Sequence, residues 1–165
     1  MWEIIASQID FTDKIVLDLG CGNGDFLLLS NYFGATHAYG LEEDKEIVSV
    51  LNTRCKKQGI SIRERNIEDC QWPMSDISFL FSVMPYLKDP DWVLRKMKTH
   101  SSVCLIECQY YNDGPENGWK SGLGAPIDDD NMEEWLKHCG FLNVSPLGWT
   151  EVPRRNVKRT IWMCS

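Results

Sequence analysis

Between Asp18 and Gly24 the chain reads Asp-Leu-Gly-Cys-Gly-Asn-Gly, a carboxylate followed by glycines at every second position. Gly20, Gly22 and Gly24 have no side chains, so the backbone is free to turn and a ligand can lie directly against main-chain N–H groups. Ile15 to Leu19, just before, is a short apolar run with β-branched residues, the composition of a strand buried on both faces. From Asp25 onward apolar residues recur at Phe26, Leu27, Leu29 and Phe33, which predicts a helix whose unpaired first N–H groups point back at the loop. A strand, a glycine turn and a helix in that order predict a nucleotide-like ligand.

The charges around the turn narrow the ligand. A dinucleotide turn, G-x-G-x-x-G, requires its third glycine at position 25, and this chain has Asp25 there. Carboxylates on both sides, Asp18 and Asp25, repel a pyrophosphate and suit a ligand that carries a cationic amino group and a sulfonium. In Asp18, Gly20, Gly22 and Gly24 the chain resembles the class I S-adenosylmethionine-dependent methyltransferases, whose first motif is (Asp/Glu)-x-Gly-x-Gly-x-Gly. The resemblance implies S-adenosylmethionine as cofactor, S-adenosylhomocysteine as product, and Asp18, Gly20, Cys21, Gly22, Asn23 and Gly24 among the binding residues. It further implies an α/β fold, a Rossmann-like doubly wound seven-stranded sheet that is mostly parallel with an antiparallel last strand.

The remaining elements must bring other residues to that turn. Trp2 to Ile9 carry apolar residues at helical spacing, and Gly34 stops the helix that follows the turn. His37 to Leu41 form a second strand ending in Glu42-Glu43-Asp44. Glu42, eighteen positions after Gly24, falls where a neighbouring strand ends and an acid can accept hydrogen bonds from ribose hydroxyls. The same acids also suit the opening of the helix over Lys45 to Lys57. Ile60 and Ile62 alternate with polar residues in a third strand, followed by Asn66-Ile67. In the resembled family this place meets adenine, through an Asp side chain and the next N–H. Asn66 departs from that Asp, keeps an amide oxygen that can accept from an amine, and is also a common turn residue.

Asp76 to Ser82 read as a central strand, and the resemblance puts Ser82 and the following Val83-Met-Pro-Tyr86 beside the methyl donor. Asp89-Pro90 opens a helix, Val103 to Cys108 form a fifth strand, and Met132 to Cys139 a helix stopped by Gly140. Phe141 to Trp149 and Val157 to Met163 complete the strands. Gln109 to Ile127 lack periodicity, and loops of that length serve as lids or binding segments. Tyr110, Tyr111 and Trp119 are therefore candidate acceptor-binding residues, although they equally suit covering a sheet edge. Tyr86 and Glu107, at strand ends that should face the acceptor, join them, Tyr86 equally suiting a plain pocket wall and Glu107 an ion pair with a nearby lysine. No nucleophile or triad is visible, and methyl transfer to an aligned acceptor needs none.

At 165 residues the chain suits one domain, spanning 1–165. A formal net charge of −7 and the absence of an inserted recognition segment disfavour duplex nucleic acid and favour a small-molecule acceptor. Arg154, Arg155, Lys158 and Arg159 read as a solvated hairpin or as a local anion site. Seven scattered cysteines, without C-x-x-C or a histidine pair at metal spacing, read as buried thiols of a reducing, cytoplasmic compartment and not as metal ligands. No apolar run is long enough for a membrane span. A donor-binding protein without catalysis is the alternative reading.

Overall fold

The computed structural model describes residues 1–55, 59–107, 129–152 and 157–165. After a short helix α1 (Trp2–Ala6) the first strand β1 runs Ile15–Leu19 and is buried from Val16 onward. Gly24, left-handed at φ 74°, opens α2 (Asp25–Tyr32), and Gly34 at φ 101° closes the turn beyond it. Strand β2 (His37–Glu42) leads to α3 (Lys45–Arg54), whose first N–H groups are held by Asp44: its Oδ1 accepts from Glu46 N at 2.8 Å and Ile47 N at 3.1 Å. Strands β3 (Ile60–Glu64) and β4 (Ser75–Phe81) follow, then a 3-10 turn over Met84–Tyr86. Helix α4 (Pro90–His100) has proline in its first turn and Asp89 as its cap, accepting from Trp92 N at 2.9 Å. Strand β5 (Ser101–Glu107), helix α5 (Asp129–His138) and strands β6 (Val144–Val152) and β7 (Val157–Cys164) complete the described elements.

The seven strands form one sheet in the order β3-β2-β1-β4-β5-β7-β6. All neighbours are parallel except β7, which runs antiparallel to both β5 and β6. Successive strand residues face opposite layers. Leu17, Leu19, Leu80 and Ile106 therefore join Met97, Trp135 and Trp162 on one side, while Val16, Phe79 and Leu105 join Phe11 and Leu27 on the other. The chain leaves β1 toward β2 on one side, and β4 lies on the other, so the carboxyl ends of these three strands diverge around a crevice, the place where open α/β sheets bind ligands.

Some boundaries differ from the sequence reading. Phe141 does not begin a strand: Gly140, at φ 101°, reverses the chain, Phe141 N donates to Leu136 O at 3.2 Å, and the ring is buried as the hydrophobic end of α5. The strand starts three residues later and continues past Trp149 to Val152. Helix α1 ends at Ala6, well before Ile9, with Ser7 Oγ donating to Ile4 O at 2.9 Å and drawing off the main chain. Strand β5 begins at Ser101, two residues ahead of Val103. Among the described residues no helix is long and apolar enough to cross a membrane, and no group of histidine, cysteine and acidic side chains is disposed to hold a metal.

Candidate functional site

The glycine turn is built against the end of β2. Gly20 N and Cys21 N both donate to Leu41 O, at 2.8 and 3.0 Å, and Gly24 N donates to Cys21 O at 2.8 Å. Gly22 N donates to Glu42 Oε2 at 2.9 Å, which ties the middle of the turn to the acid of the neighbouring strand. All three glycines have positive φ, and two of them also need the missing Cβ. A Cβ on Gly20 would lie 2.5 Å from Val83 Cγ2, and one on Gly24 3.1 Å from Leu51 Cδ2. At Gly22 a Cβ would meet nothing within 4 Å, so this residue presents bare main chain to open space.

That space is a crevice of about 360 Å³ lined by Gly20 and Gly22 on the turn and by Leu41, Glu42 and Glu43 at the end of β2. Arg65 to Glu68 after β3 line a further part, and Phe81 to Val83, Tyr86 and Leu87 form the wall after β4. Of the residues singled out in the sequence, Gly20, Gly22, Glu42, Glu43, Asn66, Ile67, Ser82 and Tyr86 are thus brought together around one opening. Gly24 is packed at the start of α2, Asn23 is exposed beyond the turn, and Cys21 is buried with Sγ 2.8 Å from where a Cβ on Gly40 would stand. Asp18 is buried at 2 % exposure on β1, behind the lining. Tyr110, Tyr111 and Trp119 lie outside the described residues.

The acids of the site differ in their surroundings. Glu42 is anchored by main chain alone: besides Gly22, the N–H groups of Glu43 and Asp44 donate to its Oε1 at 2.9 and 3.0 Å. Asp18 Oδ2 has no hydrogen-bond partner within the protein, and its carboxyl is pushed up to about 7 from an ordinary 3.8, first by burial and then by the negative charge of Glu42. Asn66 is held on both sides of its amide, Oδ1 accepting from Glu68 N at 2.8 Å and Nδ2 donating to Glu43 Oε2 at 3.0 Å. Oδ1 keeps a second lone pair for a ligand.

Two features of the wall escaped the sequence. Glu68 reaches across the opening: Lys88 N and Asp89 N donate to its Oε1 at 3.0 and 2.7 Å, which fastens the segment after Tyr86 to the loop after β3. Glu107, read as facing an acceptor or pairing with a lysine, is fully buried behind Ser82 and pairs with an arginine, Arg159 Nη1 standing 3.1 Å from its Oε1. Arg159 accordingly stands neither on a solvated hairpin nor in an anion site. Because β7 runs antiparallel beside β5, the first residues of β7 lie at the carboxyl end of β5, and Arg159 turns inward onto Glu107.

The residues present fit an adenosyl amino acid. A crevice of this size is within the range of small-molecule sites, one wall is bare main chain, and a buried carboxylate lies behind it without a partner of its own. A mostly parallel sheet with this strand order and a crevice at its switch point has the Rossmann-like architecture of methyltransferases. The methyltransferase-domain family model matches residues 16–101, more than half of the chain, and the chain belongs to the class I S-adenosylmethionine-dependent methyltransferases.

Individual relatives are more distant. Protein arginine N-methyltransferase 1 of Chlamydomonas reinhardtii is 25% identical over 142 residues, which cover 73% of this chain and 41% of that protein. Ribosomal protein L11 methyltransferase of Escherichia coli is 33% identical over 56 residues, 34% of this chain and 19% of that protein. The matched stretches therefore cover less than half the length of either relative. The crystal structure of an S-adenosylmethionine-dependent methyltransferase from Mesorhizobium loti superposes with a TM-score of 0.74 at 15% identity, covering 99% of this chain and 96% of that one. The expected preference for a small-molecule acceptor is overturned by these relatives. Enzymes named for protein acceptors share this frame, so neither its size nor its negative charge selects a small molecule.

Proposed function

We propose that the chain transfers the methyl group of S-adenosylmethionine to a basic polypeptide. The observation that carries the reading is the crevice itself, where bare main chain at Gly22 stands beside the anchored carboxylate of Glu42, with the buried, unpartnered Oδ2 of Asp18 behind the lining. Asp18 meets the amino group of the donor, and Glu42, oriented by three N–H groups, accepts from the ribose hydroxyls. Asn66 accepts from the adenine amine and Ile67 N–H meets a ring nitrogen. The donor supplies a methyl carbon already activated by a positively charged sulfur. Ser82 and Tyr86 stand on the wall beside it and, with Val83 and Leu87, exclude water and fix the direction of approach, an alignment worth roughly 7 to 11 kcal/mol in favourable cases.

A basic polypeptide suits the charge of the chain. Glu42, Glu43 and Glu68 all line the opening, and the net charge of −7 attracts cationic partners over the whole surface. The names of the two curated relatives point the same way. We place the activity in residues 1–165 acting as one domain, in the cytoplasm, a setting that suits the free cysteines, five of the six among the described residues being buried.

The test is incubation of the purified protein with methyl-labelled donor and separate pools of basic ribosomal proteins, histones and RNA. Label that is released by protease and resists nuclease is the expected result. Nuclease-sensitive label would replace the polypeptide with RNA as acceptor, and binding of S-adenosylhomocysteine with no transfer to any pool would leave a donor-binding protein without catalysis.

A further inference from the structure

Ser82, the first residue after the central strand, is left-handed at φ 59°, which an L side chain adopts only against a steric penalty. Two hydrogen bonds on its hydroxyl, closed by an ion pair, hold it there. Its Oγ donates to Glu107 Oε2 at 2.9 Å and accepts from Arg159 Nη1 at 2.9 Å, while the same Arg159 nitrogen stands 3.1 Å from Glu107 Oε1. The three residues close a ring across the ends of β4, β5 and β7, linking positions 77 residues apart. Glu107 is fully buried and the Arg159 side chain is 19% exposed, so the guanidinium offsets the cost of the buried carboxylate.

The bend at Ser82 determines where the next residue goes. Val83 is directed onto the glycine turn, with Cγ2 only 2.5 Å from the position of a Cβ on Gly20, and Ser82 and Val83 both line the crevice. The wall that abuts the glycine turn is thus held from behind by an ion pair that does not itself line the crevice.

We propose that Arg159 and Glu107 are positioning residues for donor binding, acting through the hydroxyl of Ser82 to keep the crevice wall against Gly20. The inference rests on the reading of the crevice as the donor site. Its consequence is that donor affinity depends on the last strand, which lies two places from β4 in the sheet and whose described side chains are absent from the lining.

The test is calorimetric titration with S-adenosylhomocysteine of the unmodified protein, Ser82→Ala, Ser82→Gly, Arg159→Met, Arg159→Lys and the double variant Arg159→Met with Glu107→Gln. Melting temperatures and amide hydrogen exchange over residues 82–87 are followed in parallel. Ser82→Ala leaves the ion pair in place and is expected to weaken binding by about tenfold, with faster exchange over the wall. Ser82→Gly relieves the backbone penalty but also lacks the hydroxyl, so it is expected to weaken binding as well. Arg159→Met is expected to be at least as weak as Ser82→Ala, with Arg159→Lys recovering part of the affinity. The double variant should be no weaker than Arg159→Met, because the ring acts as a unit.

A purely structural role would lower the melting temperatures and leave the affinity of the folded protein unchanged. Should Arg159→Met not fold, the two Ser82 variants decide. Both Ser82 variants binding within twofold of the unmodified protein would overturn the positioning role while leaving the donor site intact. Failure of the unmodified protein to bind S-adenosylhomocysteine would overturn the donor site and the positioning role with it.

Discussion

Replacing Asp18 by asparagine should stabilise the protein while weakening its hold on the donor. Asp18 is 2 % exposed and Oδ2 has no partner in the protein, so its ionised form is disfavoured and the carboxyl is pushed up from 3.8 to about 7. The folded chain therefore holds this proton more tightly than the unfolded one. The stability it contributes is fully present below pH 3.8 and is lost as the pH rises through about 7. A difference of about three pH units corresponds to about 4 kcal/mol as an upper bound. Urea unfolding should then show Asp18→Asn more stable than the unmodified protein by about 1 to 4 kcal/mol at about pH 8, with the gap narrowed to roughly a third at about pH 5 and closing only below pH 3.8. The ligand's amino group needs the ionised carboxylate, so S-adenosylhomocysteine binding to the unmodified protein should weaken by about tenfold per unit as the pH falls below about 7. That slope should be absent from Asp18→Asn, which binds weakly throughout. A stability gap that is the same at both pH values, or a variant less stable at the higher one, would refute the reasoning.

Gly20→Ala and Gly22→Ala should behave differently although both glycines have positive φ. The Cβ of the first meets Val83 at 2.5 Å, so the melting temperature should fall by the equivalent of about 2 to 4 kcal/mol, whereas the second meets no protein atom and should cost only about 1 kcal/mol. Loss of S-adenosylhomocysteine binding by Gly22→Ala in a folded protein would then report the ligand's own contact with that residue. Glu68→Ala removes the acceptor for the N–H groups of Lys88 and Asp89 and should lower stability by about 1 to 2 kcal/mol in urea unfolding, with faster exchange over residues 86–89. Of the described cysteines, half-buried Cys70 should react first with a thiol reagent, while burial pushes Cys104 up to about 11 and Cys139 up to about 12 and leaves them unreactive until the chain unfolds.

The glycine turn was legible because everything that makes it is local. The apolar run Ile15–Leu19, the alternate glycines and the helix start at Asp25 lie within a few residues of each other, and the strand and helix begin where the composition puts them. Glu42 was within reach because one helix and one strand fix the return distance. The far wall was not legible. Glu68 meets N–H groups 20 and 21 positions away, and Arg159 meets Ser82 across 77 positions, so no spacing along the chain encodes either contact. Glu107 and Arg159 each look like surface charges in the sequence, and only the antiparallel placement of β7 turns them toward each other. Phe141 misled for another reason: an apolar residue after a helix-stopping glycine serves equally to begin a strand or to close the helix, and here Leu136 O takes its N–H.

The most direct test of the donor site is the crystal structure of the protein grown with S-adenosylhomocysteine. The ligand should lie along Gly20 and Gly22, with its amino group at Asp18, its ribose hydroxyls on Glu42 and its adenine beside Asn66 and Ile67. A vacant crevice, or the ligand bound at another surface while Asp18 remains without a partner, would contradict it.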